Sequence, residues 1–386
     1  MRILIALTYY RPHYSGLTIY AERLARALVE RGNQVTVLTS RYSPDLQFNE
    51  DCDGVRVIRP RVGFHISKGV LMPTMPFWAW KLAKQADIVH LHLPQLDAAP
   101  IALIARLLKK PVILTYHCDL ILPHGFIHNL ANRVSNFANR ISASLAHSIV
   151  TNTLDYAQNS AYLHKYLDKL QAIYPPVELE AIHENDKLAF IHKAGIQPGE
   201  RIIGMAARLA TEKGVEYLAQ ALPLVLQRHP EARVLYVGQF ENVWGEADYA
   251  LRLKPILEQL GDRWKFLGIV NPKELSAFFK ICDVLTVPSL NSTESFSIVQ
   301  VEAMISGTPA VASDLPGVRQ PIKLTGMGEI VPPANSAALG KALNAILDDP
   351  EKYKTDPQAV AELFSPQTIA AQYEALFSKW VNECDK

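Results

Sequence analysis

Glu294 and Glu302 stand eight residues apart in the segment Thr293-Glu294-Ser295-Phe296-Ser297-Ile298-Val299-Gln300-Val301-Glu302. Ahead of them runs an apolar strand pattern, Val284-Leu285-Thr286-Val287, and a polar loop, Ser289-Leu290-Asn291-Ser292. Behind them Val301, Ala303, Met304 and Ile305 continue a densely apolar helix. The order strand, loop, helix places the helix start near Phe296 and leaves the amides of Phe296, Ser297 and Ile298 without intrahelical partners. Amides at the positive end of a helix dipole make an anion site suited to phosphate. Glu302 then falls on the second turn, where a carboxylate accepts hydrogen bonds from a diol such as that of a ribose. Glu294, still in the loop, reaches hydroxyls on the other side of the anion. Two glutamates near a helix start also serve simply as dipole complement and solvated surface. Eight residues turn a helix by about 800°, so the chemical reading requires Glu294 to lie in the loop, as the polar residues before it suggest.

A second set of charges belongs to the loop Ala206–Gly214, where Arg208 and Lys213 follow the apolar run Arg201–Met205. Two fixed cations at the carboxyl end of a strand stabilise negative charge that develops on a leaving phosphate, without a metal ion. Lys213 near a helix start works against the dipole, which favours a functional role over surface decoration.

These loops need a scaffold, and the chain supplies one twice. With 386 residues, 49% hydrophobic and 20% charged, it is long enough for two globular domains. Ile3–Leu7, an amphipathic stretch from Thr18 to Arg31, Gly32-Asn33 and Val35–Thr39 spell a βαβ unit, which implies a parallel sheet. Val55–Ile58, Asp87–His92, Val112–His117 and Ser148–Thr151 continue the strands. His92, His117 and Asp119 fall at carboxyl ends of strands, the border of the ligand crevice in open parallel sheets. His90, His92 and His117 lack a carboxylate–histidine motif, and no metal site is expected. Met75–Trp80 is aromatic-rich and reads as packing. Residues 125–147 read as a surface helix in which Arg133 and Arg140 lie apart from Phe126, Leu130, Val134 and Phe137, leaving open a membrane-surface contact. Tyr174-Pro175-Pro176-Val177 is a stiff break, after which the alternation restarts. The expected domains are 1–178 and 179–365. The last segment, from Ser365, carries Ile369, Tyr373, Leu376 and Trp380 on a stripe that needs a partner surface.

The net charge of +1 gives no case for nucleic acid. Residues 1–180 are mildly basic and the remainder mildly acidic, which permits an anionic acceptor on the first half. The four cysteines are scattered without metal or redox spacing, consistent with a reducing cytosol. No apolar run reaches the ~18 residues of a membrane span, and a cytoplasmic protein is expected, with peripheral contact at the inner membrane surface left open. The absence of a G-x-G-x-x-G fingerprint counts against a dinucleotide dehydrogenase.

Taken together, Ser15-Gly16 in the first loop, His117 after its strand, Arg208 with Glu212-Lys213-Gly214, and Glu294-x7-Glu302 running into Gly307-Thr308-Pro309 resemble the retaining glycosyltransferases of family 4. The resemblance covers the chain nearly end to end, and the Glu294–Pro309 block is its specific part. It implies the GT-B fold: two Rossmann-like, doubly wound parallel-sheet α/β domains facing a central cleft, the terminal helix 366–386 packing back on the first. It implies that Arg208 and Lys213 hold the diphosphate of a nucleotide-sugar donor and Glu302 its ribose. Glu294 and the amides of Phe296, Ser297 and Ile298 hold the transferred sugar and phosphates. Gly16 lets the first domain close on the donor, His117 approaches the reacting sugar carbon, and the base pocket falls at Gly268–Val270. The chain departs from the pattern at Ser15, Ser295 and Ser297, where the family often has Gly. It departs again at Val318-Arg319-Gln320, where an acidic residue is common. The expected activity is transfer of a hexosyl unit from a UDP- or GDP-sugar to a hydroxyl acceptor, glycan or lipid-linked, with no cofactor and no metal. A nucleotide-sugar epimerase on the same fold and a non-catalytic nucleotide-sugar-binding subunit are the alternatives.

Overall fold

The protein is described by a computed structural model over residues 1–66, 69–119 and 137–384. Two compact units divide it: Met1–Pro176 with Phe364–Lys386, and Val177–Leu363. The chain passes between them two residues earlier than the sequence breaks at 178 and 365 suggest. Phe364 is the reason at the second crossing, since it is fully buried and packs against Tyr174 of the first unit at 5.3 Å between ring centroids.

The first unit is built on an eight-stranded sheet in the order Leu170–Ala172, Ser148–Thr151, Val112–Tyr116, Ile88–Leu93, Arg2–Ala6, Gln34–Leu38, Val55–Ile58, Asn49–Cys52. Every pairing is parallel except the last, where Asn49–Cys52 runs antiparallel at the edge. The central strands are buried along their whole length because helices cover both faces, so they read as continuous apolar runs rather than alternating ones. On one face, helix Gly16–Glu30 and the terminal helix Pro366–Cys384 share a core in which Leu24, Leu28, Ile369, Tyr373 and Phe377 are fully buried. On the other face lie helices Met75–Gln85 and Ala98–Leu107. Met75, Ala79 and Leu82 turn into that core, whereas Phe77 and Trp80 stay exposed. Of the basic helix expected over 125–147, residues 137–145 are helical, with Phe137 and Arg140 exposed, and Phe126, Leu130, Arg133 and Val134 lie outside the described residues.

The second unit is a six-stranded, wholly parallel sheet in the order Trp264–Gly268, Ala232–Val237, Arg201–Ala206, Val284–Val287, Ala310–Ser313, Gly328–Val331. This is the strand order of a doubly wound nucleotide-binding sheet. Val215–Leu226 and Ser336–Asp348 pack together on one face, and Pro272–Ile281 covers the other with Phe278 and Phe279 fully buried.

Candidate functional site

In the second sheet the first strand, Arg201–Ala206, is flanked by Ala232–Val237 on one side and Val284–Val287 on the other. The switch point therefore lies between Arg201–Ala206 and Val284–Val287, and open α/β sheets bind ligands outside the carboxyl ends of such a strand pair. The two loops that leave these strands carry Arg208 with Lys213, and Glu294. They are joined by the amide of Leu290 donating to the Glu212 carbonyl at 2.9 Å. Gly214 is required where they meet: its φ is +65°, and a Cβ there would lie 2.1 Å from the Pro288 carbonyl oxygen. Immediately beside that contact the Lys213 ammonium pairs with the Glu294 carboxylate, both side chains more than three-quarters buried. Arg208, more exposed, pairs with Glu212 four residues on. An ammonium has three donors and a guanidinium five. Each cation thus keeps donors for a further anion while its present partner holds it in place.

The helix that follows begins at Ile298, not near Phe296. Ser297 stops it short, because its backbone sits at φ +71°, ψ 83°, a left-handed conformation that cannot enter an α-helix. That conformation costs an L-residue about 1–2 kcal/mol. The helix is headed by Ile298 and Val299, and the Gln300 amide already bonds the Ser297 carbonyl at 3.2 Å. Phe296, 2% exposed, anchors the loop from below. Ser297 is as deeply buried, and its Oγ has no hydrogen-bond partner among the described residues. Glu302 lies on the second turn with 4% of its surface exposed. Gln300 ties the helix down by donating Nε2 to the Val318 carbonyl at 2.9 Å. In the same segment Arg319 pairs with Asp314 at 2.9 Å, so its charge is met within its own loop.

Gly268 ends strand Trp264–Gly268 at φ +72° and accepts from the Gly238 amide at 2.8 Å. Val270, half-buried, precedes Asn271, whose capping box with Glu274 starts the next helix. Gly238 packs so closely under the Arg208 loop that a Cβ would fall 2.0 Å from the Ala207 carbonyl oxygen. Arg208, Lys213, Glu294, Ser297, Ile298, Glu302, Gly268 and Val270 thus all belong to the second unit, at the carboxyl edge of one sheet or on the helix that follows.

Gly16 and His117 belong to the first unit. Gly16 opens its helix, capped by Ser15, whose Oγ accepts from the Thr18 amide at 3.2 Å. A Cβ on Gly16 would meet nothing within 4 Å, so nothing inside the unit demands glycine there. Ser15, a departure from the family pattern, is a favoured N-cap. His117 follows strand Val112–Tyr116 and is 7% exposed. Its Nε2 lies 2.9 Å from Nδ1 of His92. His90, on the same strand as His92, meets the Thr115 hydroxyl at 2.7 Å. Thr115 meets Tyr373 at 2.9 Å and Tyr373 meets Tyr20 at 2.7 Å. All six residues are buried. Burial pushes the His90 and His117 pKa values down to about 3 and that of His92 well below its usual value. These imidazoles are neutral at pH 7. Asp119 is engaged structurally: its carboxylate accepts from Tyr116 and Ser160, both at 2.8 Å.

The switch point of this sheet, between Arg2–Ala6 and Ile88–Leu93, carries two residues that sequence reasoning missed. Gln95 and Asp97 are buried, and neither polar atom of the Gln95 side chain nor Oδ2 of Asp97 has a partner among the described residues. Burial raises the Asp97 pKa to about 6. Polar side chains directly after a fully buried strand were the available signal. Among the described residues, no group of three or more His, Cys, Asp or Glu is placed to hold a metal ion, and no helix is long and apolar enough to cross a membrane.

Two parallel-sheet α/β units of this topology make the GT-B fold. The chain belongs to the glycosyltransferases of family 4 type: residues 15–164 match the glycosyl transferase 4-like domain and residues 186–358 match glycosyl transferases group 1. An uncharacterized glycosyltransferase of Methanocaldococcus jannaschii is 29% identical over 371 residues, covering 90% of each chain. A D-inositol 3-phosphate glycosyltransferase of Nocardia farcinica is 27% identical over 366 residues, 88% of this chain and 78% of that one. Among solved structures, Anabaena HepE in complex with UDP superposes with a TM-score of 0.74 at 22% identity, over 98% of this chain and 100% of that one.

Proposed function

We propose that the protein is a retaining hexosyltransferase that moves a sugar from a nucleoside-diphosphate donor to a hydroxyl acceptor. The observation that carries this reading is the Lys213–Glu294 ion pair spanning the two switch-point loops, beside the start of helix Ile298–Ile305. A diphosphate at that helix start meets amides at the positive dipole end and the spare donors of Lys213 and Arg208. Glu302 accepts from the ribose diol, Gly268 and Val270 border the base, and Glu294 accepts from hydroxyls of the sugar while holding Lys213. As the glycosidic bond breaks, charge grows on the leaving phosphate, and fixed cations stabilise it there. The same phosphate takes the proton of the attacking hydroxyl on the face it leaves, which retains the anomeric configuration. Two fixed cations do this without a metal ion. The base is that of UDP or GDP; HepE, solved with UDP, shares the fold.

The test is incubation with UDP- and GDP-hexoses and a panel of sugar and polyol acceptors, following nucleoside diphosphate release and the anomeric proton signal of the product. Acceptor-dependent release with retained configuration is expected. Isomerised donor without acceptor would identify an epimerase, and binding without turnover would identify a non-catalytic subunit.

A further inference from the structure

We propose that His92 is a positioning residue that fixes the tautomer of His117, so that His117 offers an Nδ1–H donor to a hydroxyl oxygen of the sugar. The inference rests on the family resemblance, which implies that His117 approaches the reacting sugar, and adds to it which proton His117 presents and what holds it there.

Strand register brings the two together. Ile88–Leu93 pairs with Val112–Tyr116 so that His92 stands opposite Thr115, two residues before His117. The ring planes differ by 16°, and the centroids are 5.1 Å apart although the nearest nitrogens are 2.9 Å apart. The rings therefore meet edge to edge in nearly one plane, the geometry in which one imidazole donates N–H into the lone pair of the other. Tyr20 braces the pair, its ring edge-on to His117 at 4.8 Å and to His92 at 6.0 Å.

Two neutral imidazoles share one proton across that contact in one of two senses. His92 decides between them. Its Nε2 is buried and has no partner among the described residues. If His92 accepted at Nδ1, its proton would sit on Nε2 as an orphaned buried donor, the rarer and costlier defect. If it donates from Nδ1, Nε2 is only a bare lone pair. His92 therefore donates, His117 accepts at Nε2, and the proton of His117 resides on Nδ1. Nδ1 of His117 makes no hydrogen bond among the described residues, and it is the nitrogen left for a ligand. The same rule acts on His90, whose Nδ1 is the orphaned atom and whose Nε2 consequently donates to Thr115. Thr115 then passes its own proton towards Tyr373, so the terminal helix is fastened to the strand that precedes His117.

The direct test is nitrogen NMR of the resting, 15N-histidine-labelled protein, which distinguishes the two neutral tautomers by their ring nitrogen shifts. An Nδ1–H signal for His117 is expected, and an Nε2–H signal would overturn the proposal without any variant. Two substitutions extend it. His92→Asn keeps an N–H donor near the Nδ1 position and should preserve the tautomer and kcat within about threefold. His92→Asp, when ionised, supplies only an acceptor and holds a proton on Nε2 of His117, and the nitrogen shifts tell a neutral Nε2–H tautomer from an imidazolium. This variant should lower kcat by at least about tenfold while leaving nucleoside diphosphate affinity unchanged. Equal kcat for the two folded variants, despite opposite tautomers, would refute the role of His92. Failure of the wild-type protein to transfer any sugar would refute the function of His117, whatever its tautomer.

Discussion

The two units place polar groups at the same edge of the same kind of sheet, yet they do opposite things with charge. In the second, Arg208, Glu212, Lys213 and Glu294 are paired ions at partial exposure on loops. In the first, His92 with His117, and His90 with Thr115, Tyr373 and Tyr20, form two neutral, buried sets joined by hydrogen bonds of 2.7–2.9 Å. A cation must stay near solvent to remain charged cheaply and to meet a diphosphate. A neutral network can sit deep, where it orients a group rather than balancing charge. The contrast implies that substitutions among Arg208, Lys213 and Glu294 should cost rate or affinity more than stability, and substitutions in the His90–Thr115–Tyr373–Tyr20 network of the first unit the reverse.

The largest expected effect is on rate. Lys213→Ala should lower kcat by about 10²–10³ with saturating donor, the usual cost of removing one preorganised donor to developing charge. Its thermal midpoint should move by only a few degrees. Unchanged turnover would end the assignment of Lys213.

Acid should break the first unit before the second. The folded pKa values of His90, His92 and His117 are depressed below the usual 6.5, two of them to about 3. In the window from about 6.5 down to 3 the unfolded chain binds protons that the folded one refuses. Stability is therefore full above 6.5 and falls as pH drops, by up to about 1.4 kcal/mol per pH unit for each histidine. Asp97, raised to about 6, acts in the opposite sense between 3.8 and 6, but it is one group against three. Urea unfolding between pH 7.5 and 5 should show stability falling with pH, and a flat profile would contradict the buried neutral histidines.

Tyr373→Phe should cost about 1–3 kcal/mol in urea unfolding, because the Thr115 and Tyr20 hydroxyls lose a buried partner, and nucleoside diphosphate affinity should not change. Weakened nucleotide binding in this variant would blur the division between the units. The smallest effect belongs to Ser297→Gly, which relieves a left-handed serine and should stabilise by about 1 kcal/mol. A loss of stability there would mean that the buried hydroxyl has a partner worth more than the strain.

Much of this scaffold was legible in the sequence, because strands buried on both faces announce themselves as runs such as Val112–Tyr116 and Val284–Val287. The edge strand Asn49–Cys52 was not, since Asn-Glu-Asp-Cys has neither apolar alternation nor β-branched residues and pairs only because Val55–Ile58 offers it an edge. The helix start was misplaced by two residues because nothing in a serine encodes a left-handed backbone; the surrounding fold imposes it on Ser297. Arg208, Lys213 and Glu294 stood out as charged residues in loops and Glu302 as one on an apolar helix, but the pairing of Lys213 with Glu294 across 81 residues did not. The Tyr20–Tyr373 contact, 353 residues apart, left no local trace at all. His92 was visible only as a histidine at a strand end, and its orphaned nitrogen needed the fold.

The most direct measurement is calorimetric titration of the protein with UDP and GDP, repeated on Glu302→Ala and His117→Ala. If the second unit holds the donor nucleotide, one diphosphate binds, Glu302→Ala weakens it by about tenfold or more, and His117→Ala leaves its affinity unchanged. Equal weakening by both variants, or no binding of either nucleotide to the wild-type protein, would contradict the account.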